Sequence, residues 1–445
     1  MARFARSFLV IGAVSLFGLG GGACAGGGDG GGSGFAIERV SVSSEGAEGN
    51  AGTEAEGTAI SGDGRFVVFS SEATNLVAID VNGYADLFLR DRDQGTTEIL
   101  TLASGGGPSD GNATMPAISA DGQRVAFRNA ALNLGGAAFS PGVLVLDRVT
   151  GAYEVGTVGT EGESLMFSVT EYPALSADGN TVTFSSNDTN LVPGHSGNAY
   201  DVFLRDLVLG STLCPSSPGP LLADGDSLRS SLSADGRYLA FDSYATNLVG
   251  SDTNDRQDIF LFDRVTRAVT RISLAYDGSQ SNSFATSPAL SADGRIVAFD
   301  SLATNLVPEP EEDGLSEYDI FVRDLDTGTV ERVSVDDAGE PEAGPSSLNP
   351  TISADGRFVA FASEATNLAG EAGGGNNIFV RDRDRGRTVL LSRARGGGPA
   401  DGPSFDPHIS ADGRWVVFES EATNLVSGDG NLSSDVFVAR NPLAD

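Results

Sequence analysis

The chain has 445 residues, 40% of them apolar, with 59 glycines and a formal net charge of −33. All 28 basic residues are arginine. A surface this acidic repels polyanions and excludes nucleic acid as a partner, while it favours cations such as Ca²⁺. The composition suits many short strands joined by turns.

In chain order, a basic stretch (MARFAR, from Met1) precedes a mostly apolar run from Ser7 to Leu19, and small residues lead to Cys24 in LGGGAC. The apolar run is too short to span a bilayer and ends at a small-residue site, so residues 1–23 are predicted to be a cleaved signal peptide. The arrangement resembles a bacterial lipoprotein signal, which implies lipidation of Cys24; Gly21 departs from that pattern, in which Leu is usual. Ala25 supplies no inner-membrane retention Asp, so the resemblance implies an outer-membrane position where two membranes exist. Residues 24–35 read as the lipidated Cys and a flexible Gly-rich tether.

From residue 36 to 440 the chain repeats itself. Ser-Ala-Asp-Gly recurs with Asp at 63, 121, 178, 235, 293, 355 and 412, Gly62 replacing Ala in the first copy. Six residues after each Asp stands a Phe, from Phe69 to Phe418, and six further on an Asn, from Asn75 to Asn424. Each unit parses into four short strands. The run before the anchor is the first, and Asp-Gly makes a tight hairpin turn. Phe358-Val-Ala-Phe361 typifies the second, Asp319-Ile-Phe-Val-Arg323 the third and Val330-Glu-Arg-Val-Ser-Val335 the fourth. A second Phe on strand three in six units predicts aromatic packing between adjacent sheets. The seven side-chain amides of the Asn-Leu pairs are expected to fix bends.

Seven such units predict an all-β, seven-bladed β-propeller of four-stranded antiparallel blades. The last unit ends after its third strand, Asp435-Val-Phe-Val-Ala439, and residues 441–445 form a short tail. Its missing strand stands at the other end: Ala36-Ile-Glu-Arg-Val-Ser-Val42 copies Val330 to Val335. The N-terminal strand is therefore expected to complete the last blade, which removes open sheet edges.

The SADGRxVAF pattern resembles the Ser-Pro-Asp-Gly-x-x-x-Ala-Phe repeat of TolB-type, WD-like propellers, with Ala for the usual Pro. The resemblance implies the fold and an exported, lipid-anchored envelope setting. TolB proteins also carry an N-terminal α/β domain that is not seen here, so their specific role is not carried over.

Propeller blades of this kind need about 40–45 residues. Here successive anchors lie 57 to 62 apart. The surplus falls in the two-to-three loops and the blade-to-blade loops, which antiparallel pairing puts on one face; function tends to sit on such loops. Three two-to-three loops carry Asp-x-Asn-x-x-x-Asp: Asp80, Asn82 and Asp86; Asp252, Asn254 and Asp258; Asp429, Asn431 and Asp435. Closely spaced oxygens of this kind can supply Ca²⁺ ligands, and they can equally shape the loop as Asx-turns.

Catalytic signals are absent from this reading. The two histidines, His195 and His408, match no metal-ligand spacing, although His408 takes a slot that is Ala in four other units and that faces the channel. Cys214 reads as a small apolar strand residue. The expectation is a monomeric, non-enzymatic envelope binding or scaffold protein that holds a protein, peptide or glycan on its long-loop face and meets the membrane only through its lipid. The alternatives are a Ca²⁺-dependent adhesive surface protein and a channel-site enzyme such as a polysaccharide lyase or hydrolase.

Overall fold

Ser61, Asp63 and Gly64 show why the anchor recurs. The Ser61 hydroxyl donates to Asp63 Oδ1 at 2.7 Å and accepts the Phe66 N–H at 2.9 Å, while Asp63 Oδ1 accepts the Arg65 N–H at 3.0 Å. Gly64 closes the turn at φ +75, where a side chain is disfavoured, and a Cβ there would lie 2.2 Å from the Trp415 ring of the neighbouring blade. Gly122 stands in the same way against Phe66. The turn glycine thus serves both the hairpin and the seam between blades.

The computed structural model describes residues 36–135, 141–162, 170–197, 199–217, 222–250, 252–308, 317–342, 344–370 and 375–445. The predicted signal peptide, Cys24 and the tether lie outside the described residues. The rest forms seven four-stranded antiparallel sheets, with no helix among the described residues and none long and apolar enough to cross a membrane. Blade one comprises Thr53–Ile60, Phe66–Ser71, Asp86–Asp91 and Thr96–Ile99. Blades two to six repeat this over 113–155, 170–213, 227–271, 285–332 and 347–390.

Blade seven joins the chain ends. Ser404–Ile409, Trp415–Ser420 and Asp435–Arg440 are completed by Ile37–Arg39, with Ile37 opposite Ala439 and Arg39 opposite Phe437. The Val40 N–H continues the ladder to the Val436 carbonyl at 2.8 Å. The final residues pack back on the ring: Leu443 is buried, and the Asn441 N–H donates to the Arg414 carbonyl.

The paired phenylalanines differ in detail from the sequence reading. In six blades the two rings stack on each other within one sheet, centroids 5.7 to 6.1 Å apart. They face each other because their positions are directly paired, as Phe69 with Phe88. The stacked pair then packs on the next sheet's aliphatics, in blade one on Val417, Val436 and Val438.

Two features set the stage for the site. Around the channel the anchor backbones form a closed hydrogen-bonded ring. Gly62 N–H donates to Ala120 carbonyl, and the series runs through Ala177, Ala234, Ala292 and Ala354 to Ala411; Asp412 N–H closes it on the Gly62 carbonyl, all at 2.9 to 3.2 Å. At the opposite end, the repeated Asn bridges the two long loops of its blade. Asn75 Nδ2 donates to the Glu48 carbonyl at 2.7 Å, and Asn247, Asn305 and Asn424 do the same to Leu222, Gln280 and Pro399.

Candidate site in the central channel

Each inner strand is broken by a bulge where its pairing with the second strand shifts register. In six blades the bulge holds a non-glycine residue at positive φ: Glu56, Met115, Tyr172, Ser287, Asn349 and Asp406, at +46 to +58. Such a conformation costs on the order of 1 kcal/mol per residue, and strain of this kind gathers at functional sites. Arg229 holds the corresponding place in blade four.

These residues form one level of the channel and floor a cavity of about 380 Å³. The walls are the residues that follow them toward the anchor turns, including Pro116, Ala117, Pro173, Ala174 and His408. No lining residue precedes the bulge level on its strand, so the cavity lies on the anchor-turn side, away from the long loops.

The floor is a connected polar network. Arg229 Nη2 donates to Glu56 Oε1 at 2.9 Å, joining blades four and one, and its guanidinium lies over the Tyr172 ring at 4.8 Å. Asn349 Nδ2 donates to Asp406 Oδ1 at 2.8 Å, and Asp406 Oδ2 accepts the Glu56 N–H at 3.2 Å. Behind the floor, buried carboxylates take up the N–H groups that the bulges free from the sheet. Asp242 accepts the Arg229 and Ser287 N–H groups at 3.0 and 3.3 Å, Asp300 that of Asn349 at 3.1 Å, and Glu419 that of Gly57 at 3.2 Å.

Charge states follow from burial. Burial lifts Asp242 to about 6, against the nearby Arg229 charge, and also raises Asp300. Burial raises the Tyr172 phenol, so it stays protonated at neutral pH. Burial opposes the Arg229 charge, yet the Glu56 carboxylate beside it keeps the guanidinium protonated. His408 sits deep in the channel with part of its surface on the cavity; burial lowers its pKa, against the pull of Asp406 and Glu56, and leaves it neutral at pH 7. A neutral imidazole, a protonated phenol and a fixed cation therefore converge on one cavity, a set able to move a proton on a bound polar ligand.

His408 faces the channel as its slot in the repeat predicts, whereas the other residues of this level belong to no linear motif. A signal was available in the repeat itself. The position before the recurrent proline reads Met115, Tyr172, Ser287, Asn349 and Asp406, so it varies while its neighbours recur.

The Asp-x-Asn loops lie elsewhere, at the long-loop end of the third strands. Each Asn turns its amide N–H₂ toward the distal Asp: Asn82 to Asp86 at 2.8 Å, Asn254 to Asp258 at 3.2 Å, Asn431 to Asp435 at 3.4 Å. In blade four Arg271 Nη1 stands between Asp252 and Asp258 at 3.2 and 3.4 Å. In blade seven Arg39 Nη1 stands 3.1 Å from Asp435 and 3.8 Å from Asp429, and also pairs with Glu48. Blade one has Ile99 in place of the arginine. There Asp80 and Asp86 are both buried, Asp80 Oδ2 has no hydrogen-bond partner, and burial together with the Asp86 charge lifts Asp80 to about 6. Among the described residues, His195, Asp201 and Cys214, and Glu48, Asp429 and Asp435, bring metal-ligating atoms within 4.8 Å of one another; neither group includes a residue lining the channel cavity.

No protein-family profile matches the chain, and neither does any curated protein. Solved structures match in fold. An oligogalacturonate lyase in complex with manganese shares 13% identity at a TM-score of 0.55, covering 91% of this chain and 92% of the lyase. The oligogalacturonate lyase of Vibrio parahaemolyticus gives 12% and 0.52, over 91% and 96%. The β-propeller domain of the trilobed protease from Pyrococcus furiosus gives 13% and 0.52, over 87% and 95%. TolB from Acinetobacter baumannii and a TolB from Agrobacterium tumefaciens also match, at 0.39 and 0.41. The expectation that the chain is not an enzyme is corrected here. The same ring frames lyases of nearly equal length, so the fold excludes no catalysis, and no linear motif marks the polar groups because they meet only across blades. The chain is a seven-bladed β-propeller whose structural neighbours include TolB proteins and oligogalacturonate lyases.

Proposed function

We propose that this propeller is a channel-site enzyme that acts on a glycan. The observation that carries the reading is the convergence of Glu56, Tyr172, Arg229, Asn349, Asp406 and His408 on one cavity at a strained level of the ring. In this reading Arg229 and Asn349 bind hydroxyl groups, neutral His408 takes a proton from the water that attacks the anomeric carbon, and Tyr172 gives one to the glycosidic oxygen as its bond to that carbon breaks. The charge balance selects the ligand. Glu56 already engages Arg229, and Asp406 adds an uncompensated carboxylate within a chain of net charge −33. An uncharged or amino-bearing sugar suits this site better than a polyuronate. An exported, lipid-anchored setting at the envelope, resting on the N-terminal sequence, completes the proposal.

The test is to incubate the purified chain with neutral, amino-bearing and uronate oligosaccharides and follow chain length by mass spectrometry. Cleavage of a neutral or amino-bearing series, lost in His408→Ala, supports the reading. Absence of binding and cleavage in all three series overturns it.

A second reading concerns the long-loop face. Ile79, Val81, Tyr84, Leu132, Tyr244, Tyr276 and Leu432 are all exposed on its loops, and the Asn bridges make those loops a platform. Exposed apolar side chains on a rigid base suit a protein or peptide partner. For Ca²⁺, the proposal narrows to blade one, where the Asp80–Asp86 pair lacks an arginine.

A further inference from the structure

Blade three treats one recurring position differently from its neighbours. Three positions meet in blades four and seven: the loop residue six before strand three, the first residue of strand three, and the residue two before the serine that follows strand four. In blade four these places hold Asp252, Asp258 and Arg271; in blade seven, Asp429, Asp435 and Arg39. In both, a guanidinium neutralises buried carboxylates. In blade three the same places hold His195, Asp201 and Cys214.

The three side chains converge in the interior. The His195 and Asp201 side chains are each 1% exposed and 2.7 Å apart, Nε2 to Oδ2. Cys214 is a buried free cysteine, and one ligating atom from each residue lies within 4.8 Å of the others. The His195 Nδ1 is buried with no hydrogen-bond partner, so the ring keeps an unused polar atom inside the protein. Asp201 Oδ1 is held by the hydroxyls of Ser216 and Ser217 at 2.5 and 3.2 Å, and the imidazole lies edge-on to Phe203 at 5.4 Å. Orientation of a ligand by outer hydrogen bonds and packing is usual around protein metal sites.

We propose that His195, Asp201 and Cys214 bind a divalent transition metal of the zinc class. A thiolate, an imidazole and a carboxylate form a donor set that suits zinc and not calcium or magnesium. A neutral imidazole with two anions carries charge −2, which such an ion balances where blades four and seven use arginine. Metal–ligand bonds of about 2.0–2.3 Å place the ligand atoms roughly 3–4 Å apart, so the site forms by a small opening of the His195–Asp201 contact. Three protein ligands, His195 from the loop, Asp201 at the start of strand three and Cys214 just past the end of strand four, would pin the outer edge of blade three, which has no second cysteine among the described residues.

The test uses the full chain carrying Cys24→Ser, so that Cys214 is the only thiol. After dialysis against trace Zn²⁺, elemental analysis is expected to give one equivalent. Replacement by Co²⁺ is expected to give the near-ultraviolet thiolate-to-cobalt band and the visible bands of a four-coordinate ion. Cys214→Ser should abolish the near-ultraviolet band, and His195→Ala should weaken Co²⁺ binding at least tenfold. Circular dichroism checks that both variants fold, and the cobalt spectrum of the Cys24→Ser chain stands independently of either. Failure of that chain to take up Zn²⁺ or Co²⁺, or uptake with no thiolate band, overturns the proposal.

Discussion

Arg229 and Glu56 lie 173 positions apart in sequence, yet Arg229 Nη2 donates to Glu56 Oε1 at 2.9 Å across the floor of the channel. Both side chains keep about a third of their surface exposed to the channel. The pair therefore contributes modestly to stability, about 0.5–1 kcal/mol in a double-mutant cycle with Arg229→Met and Glu56→Gln. Its larger effect falls on ligand binding. Arg229→Met should weaken binding of a neutral oligosaccharide about tenfold, read by calorimetry, with little change in the midpoint of unfolding.

Arg39 plays the opposite role. Its side chain is 9% exposed and stands among Glu48, Asp429 and Asp435 at the seam between the chain ends. Arg39→Leu leaves buried carboxylates without a countercharge, and about 3 kcal/mol should be lost in urea unfolding. The strand that carries Arg39 closes the ring. Hydrogen exchange of the Val40 amide should therefore accelerate more than that of inner strands in blades three and four.

Asp80 gives a pH signature. Its folded pKa of about 6 lies above the ordinary carboxylate value of 3.8, because burial and Asp86 oppose its charge. Its contribution favours the fold fully below 3.8 and is lost as pH rises through about 6. The wild type should thus gain on Asp80→Asn as pH falls from 7 to 4. At pH 7 in chelator the variant should melt about 1–2 °C higher. Millimolar Ca²⁺ should raise the melting temperature of the wild type and not of Asp80→Asn; equal responses would remove calcium from blade one.

Gly122 tests the seam between blades. At φ +72 with a Cβ position 2.3 Å from the Phe66 ring, Gly122→Ala should cost about 3 kcal/mol. Gly106 has φ +78 and open space around it, so Gly106→Ala should cost only about 1 kcal/mol. Chemical denaturation of the two variants separates steric clash from backbone strain.

Much of this architecture was legible in the residues. The Ser-Asp-Gly turn chemistry is local, so its seven copies announced seven hairpins. The likeness of residues 36–42 to Val330–Val335 located the closing strand, because a strand must match the ladder it completes. The cavity floor left only a faint trace in the sequence, the variable position before the recurrent proline. Positive φ at Glu56, Tyr172 and Asp406 accompanies the bulge where each inner strand shifts register against the second strand, and strand periodicity does not announce such a break. The His195, Asp201 and Cys214 cluster escaped for a related reason. Its members lie on different strands and loops, with a spacing that matches no linear metal motif, and only superposing the blades reveals that they replace an ion triad.

The ring of backbone bonds from Gly62 through Ala411 bears on what evolution or design can change here. It works as a hoop made of main chain, so its aperture cannot dilate at one wedge without loading the other six. The calibre of the bore is fixed by peptide groups, whereas its chemistry is written in seven interchangeable side chains just beyond. Selectivity can therefore be rewritten residue by residue while the size of what passes the rim stays constant.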